Sequence, residues 1–137
     1  MDLAPLIEAP IQIRTHVVAV VGATLLGLVI FLNRKGTNFH KTLGWSFVTL
    51  MTITAVSAVF IRRPPGDGVP SLAGFTPIHL FVLLTAVSLP MAIIHIKNGR
   101  VAHHARTMIG LFVGGIIIAG ILAFLPGRIM NNVVFGG

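Results

Sequence analysis

The chain has 137 residues, 55% of them hydrophobic and only 9% charged, with a mean hydropathy of +0.95. Soluble domains carry about 25% charged residues, so this chain cannot clothe a globular surface with polar groups and belongs in a lipid bilayer. A net charge of +7 would suit a nucleic-acid partner in a soluble protein. Here the basic residues border apolar segments, where they serve as topology signals and headgroup contacts, and no nucleic-acid partner is expected. Cysteine is absent, which excludes disulfides, thiolate metal sites and thiol nucleophiles. Residues 1–16 carry Asp2, Glu8 and a single base, Arg14, so the basic n-region of a cleavable signal peptide is missing.

Charge-free intervals predict the elements in chain order. They are 15–33, between Arg14 and Arg34; 42–61, between Lys41 and Arg62; 68–96, between Asp67 and Lys97; and 107–127, between Arg106 and Arg128. Each supplies the ~20 residues that cross a bilayer as helix. The expected helices are 12–33, 39–61, 76–97 and 102–125. Pro64, Pro65, Gly66, Gly68 and Pro70 make 62–75 an external turn, and Pro126-Gly127 ends the last helix. The connections 34–40 and 97–103 are short, so successive helices are antiparallel neighbours. The fold class is all-α: one transmembrane domain, 1–137, built as an integral membrane four-helix bundle.

Arg34, Lys35, Lys41, Lys97, Arg100 and Arg106 share one side with no acid. The other side holds Arg14, Arg62, Arg63 and Arg128 together with Asp2, Glu8 and Asp67. The excess of bases places the first side in the cytoplasm and both termini in the periplasm of a bacterial inner membrane. Small residues at four-residue spacing, Ala19, Ala23 and Gly27 in the first helix and Gly115, Ala119 and Ala123 in the last, suit close helix packing. A shift of 63 positions superposes His16 on His79, Arg34 on Lys97, Gly36 on Gly99 and His40 on His103. The chain thus reads as two repeated hairpins.

The histidines are the candidate functional residues, because ionisable groups near hydrocarbon are costly and serve function by default. His16 and His79 begin the first and third helices at one face. His40 and the pair His103-His104 begin the second and fourth at the other. In an up-down bundle these helices are diagonal partners, so each face offers two opposed imidazoles. That arrangement suits a b-type haem, which needs two His ligands, small residues beside the macrocycle and cations near its propionates. The predicted ligands are His16 with His79 and His40 with His104, for two haem b groups, with Arg106 and Arg128 among the propionate partners. The layers would lie about 20–25 Å apart. The arrangement is similar to that of the cytochrome b561 family, in which a four-helix core carries one haem near each face between diagonal helices. His95 fits neither pair; it lies toward the end that holds His40 and His103 or His104, and an all-histidine metal cluster with them is disfavoured because this side has no Cys, Asp or Glu.

The segments "RKGTNFHKTLGW" (34–45), "FTPIHL" (75–80) and "AHHARTMIGLFVGGIIIAGILAFLPGR" (102–128) resemble a bacterial family of predicted membrane proteins, domain of unknown function 2306. The resemblance implies four membrane helices and no defined activity. Its His-x-x-x-Met motif falls on His104 and Met108, whereas the repeat register pairs His40 with His103. Two function readings follow. One is transmembrane electron transfer through two haems, with a quinone or another redox carrier as partner. The other is a haem-free accessory or assembly subunit of a larger membrane complex or homo-oligomer, suited by short loops and Gly-rich helix surfaces. A transporter is disfavoured because the spans hold no Asp or Glu, and no hydrolase constellation is present.

Overall fold

Four apolar helices long enough to cross a membrane dominate the computed structural model, which describes residues 1–62 and 79–136. A short α1 (Ala4–Ile7) leads into α2 (Ile11–Leu32) and α3 (Asn38–Phe60). The second hairpin is α4 (Leu80–Lys97) and α5 (Val101–Phe112). A π-helical turn (Val113–Ile118) and α6 (Ala119–Ala123) carry α5 onward as one span, and α7 (Ile129–Phe135) closes the chain. No strand occurs among the described residues. The proline-rich turn expected over 62–75 lies, apart from Arg62, outside them.

Only 17–22% of each span's most apolar stretch is buried within the chain. Val18, Leu25, Phe60, Leu83 and Ile121 point outward, a distribution that only hydrocarbon can solvate. With lipid as solvent, helix association rests on close packing, and the core shows how. Ala23, Phe47, Met51, Leu89, Leu111, Phe112 and Ile116 form one buried cluster drawn from all four spans. Phe112 packs edge-on to Phe31 at 5.0 Å between centroids and lies 6.5 Å from Phe47. Its ring fills the notch at Gly27, where a Cβ would overlap it. The α2 ridge of Ala19, Ala23 and Gly27 is accordingly buried.

The two hairpins turn at matching glycines, Gly36 with φ 81° and Gly99 with φ 74°, in the left-handed region that glycine occupies freely. They cap their first helices differently. At the end of α2 the Lys35 ammonium donates to the carbonyls of Ile30 (2.6 Å), Phe31 (3.1 Å) and Asn33 (2.7 Å). At the end of α4 the backbone does the same work. Gly99 N–H donates to Ile96 O at 3.1 Å and Arg100 N–H to His95 O at 2.8 Å, the paired bonds of a Schellman motif. Thr37 then caps α3 by accepting from His40 N–H at 3.1 Å.

Hydroxyl side chains along α3 are satisfied within the helix. Thr42, Ser46, Thr49 and Thr52 each donate to the carbonyl four residues back, at 2.8–3.0 Å. These local bonds use the hydroxyl protons that a polar transport path would need.

Candidate functional site: histidine pairs at the two ends of the bundle

The end that carries the turns 33–37 and 98–100 is called the basic end below. His40 and His103 are each the third residue of their helix, so the helix starts follow the repeat register. The side chains do not. His104 is the half-buried one, with Nδ1 at 2.8 Å from Ala92 O on α4, while His103 is exposed. Adjacent helical residues diverge by about 100°, so only one of two neighbouring imidazoles can face the bundle. His40 lies within the electrostatic field of His104, and its Nδ1 is buried without a hydrogen-bond partner. Arg106 is exposed two residues past His104.

At the opposite end, His16 places Nδ1 2.9 Å from Thr54 O and 3.2 Å from Ser57 Oγ. Ser57 gives its own proton to Ile53 O at 2.7 Å, so the imidazole N–H donates and the hydroxyl accepts. His79 is within the field of His16. Its Nε2 sits 3.0 Å from Ala58 O and 2.9 Å from Ile61 O. The two rings add donors to carbonyls in the last turns of α3, and at Ile61 O they reach a carbonyl just past the helix end, where intrahelical partners run out. Arg128 is half-buried just before α7. A cleft of about 320 Å³ opens nearby between α2 and α3, lined by Gln12, Thr15, Thr52, Val56, Ser57 and Phe60 among others; none of the lining residues is a histidine.

The donor chemistry tests the fit of a haem. An imidazole whose Nδ1–H donates to a carbonyl holds its lone pair on Nε2, oriented and made more basic for a metal. His104 and His16 are both in that state. His40 adds a ring nitrogen with nothing bound to it. The basic-end pair therefore fits two-imidazole ligation by its ring chemistry. At the other end His16 fits, while His79 commits its Nε2–H to the α3 carbonyls. His95 stands apart from both pairs, with its ring 5.3 Å from that of His103. No group of three or more metal-binding side chains is present among the described residues, so His95 joins no larger histidine cluster there.

A family model described as a predicted membrane protein, DUF2306, matches residues 13–135. The chain belongs to that family. The match covers the four membrane helices, apart from the first two residues of α2, and every histidine of this DUF2306 protein. No curated protein and no solved structure matches it.

Proposed function

We propose that this DUF2306 protein carries two b-type haems and passes electrons across a bacterial inner membrane. One is held by His40 and His104 and the other by His16 and His79, with both termini on the periplasmic side. The observation that carries the reading is the Nδ1 bond of His104 to Ala92 O, opposite a His40 ring whose Nδ1 is unpartnered. It leaves a pre-oriented nitrogen on α5 and an uncommitted imidazole on α3, the two rings that the haem reading pairs. Bound haem supplies a one-electron iron couple. The chain's residues then hold and orient the ligand nitrogens and exclude water through Phe47, Met51, Leu111 and Phe112. Arg106 and Arg128 place positive charge at the two ends, where propionates would lie. A membrane quinone or a redox protein serves as partner.

The test is the reduced-minus-oxidised visible spectrum of the purified chain, expressed with ample haem supply. Two haems per chain with bis-imidazole bands are expected, and one after His104→Ala. A haem-free protein overturns the reading. The second reading, an accessory subunit of a larger membrane complex or homo-oligomer, rests on His79, whose two carbonyl bonds make it an anchor of the α3 end.

A further inference from the structure

The α4–α5 turn brings together two imidazoles that the haem reading leaves unused. The Schellman bonds of Gly99 and Arg100 fold the last turn of α4 tightly against the first turn of α5. They set His95, two residues before Lys97, beside His103, the third residue of α5. The ring centroids are 5.3 Å apart and the planes are inclined by 42°. His95 Nδ1 is buried without a hydrogen-bond partner, and His103 opens to the surroundings. A buried ring nitrogen without a partner is a costly arrangement unless something else satisfies it.

We infer that His95 and His103 form an exchangeable binding site for a late first-row divalent metal ion, copper(II) or zinc(II), at the basic end. Metal–imidazole bonds of about 2.0–2.1 Å set the centroids of two rings on one tetrahedral ion about 5 Å apart, as these are. Neutral imidazole is a ligand of copper and zinc, with copper bound more tightly. Two protein ligands leave the other positions to water, and Lys97 and Arg100 stand nearby on the turn. Both features favour release over permanent retention. The site therefore suits capture and hand-over of the ion, not a structural role, and it needs no haem.

Copper(II) titration of the untagged full chain in detergent, followed by EPR, tests the site. One ion per chain with two nitrogen ligands is expected. His103→Ala, at an exposed position, should fold normally and weaken binding by at least about tenfold, as loss of a ligand must exceed loss of an outer-shell contact. His95→Ala should do the same, while the His40→Ala, His104→Ala double variant should retain the ion. A wild-type chain that binds no copper, or a His103→Ala chain that binds it equally well, overturns the assignment.

Discussion

The two ends of the bundle hold the same residue type in opposite states of commitment. Opposite the basic end, His16 and His79 are both tied to the last turns of α3, through Thr54 O, Ser57 Oγ, Ala58 O and Ile61 O. At the basic end only His104 is tied, and by one bond. His40 and His95 keep buried ring nitrogens without partners there. The difference follows from helix polarity. Where α3 ends, carbonyls of its last turns accept from imidazoles; where α3 begins, the spare backbone groups are N–H donors that offer a protonated ring nitrogen nothing. His40, at the start of α3, is left available, and His16 and His79, beside its end, are enlisted in holding it.

Five variants break or sharpen this contrast. The largest effect is expected from His104→Ala set against His103→Ala. The first should remove one haem of two and the second should spare both, as read by haem content per chain. The reverse result would give the ligand role to the exposed neighbour. Next is Gly27→Val, between the ends, where the new side chain meets the Phe112 ring. Overpacking of this kind costs ~1–3 kcal/mol, and thermal unfolding in detergent should show it while the histidine bonds at both ends persist.

His79→Ala comes third. Loss of its carbonyl bonds should destabilise the end of α3 by about 1 kcal/mol, since hydrogen bonds between membrane helices average ~0.6 kcal/mol. Amide exchange should rise at residues 58–61 and not at 38–41. The smallest change is expected for Ser57→Ala, about 0.6 kcal/mol or less, because His16 keeps Thr54 O. An equal increase in exchange at both ends in either variant would dissolve the contrast.

The spans were legible because lipid expels charge, so Arg14, Arg34, Lys41, Arg62, Lys97, Arg106 and Arg128 mark where hydrocarbon stops. The turns were legible at Gly36 and Gly99, whose positive φ explains the residue type. The inward turn of His104 was legible in kind, since one of two neighbours must face away. The targets of His16 and His79 were not. Thr54 and Ser57 are hydroxyl residues inside an apolar helix, and nothing local shows that a ring 38 or 41 positions earlier will reach them. Lys35 read as a topology charge, yet its ammonium also caps α2. The short helices α1 and α7 escaped notice because neither has the length that a periodic signal requires. The contact of His95 with His103 depends on how the turn is capped, which spacing alone does not fix.

The π turn at Val113–Ile118 has a consequence for phase. A π turn stores one residue beyond the α count, so Ala119 and Ala123 sit about 100° from where a wheel drawn from Val101 would put them. The Gly115–Ala119–Ala123 stripe is continuous on paper and broken in space. The last span thereby contains its own slack. Deleting one residue inside 113–118 would return the helix to α geometry with both flanks in place. The same deletion in α2 or α3 would swing every later side chain of that span off its partner.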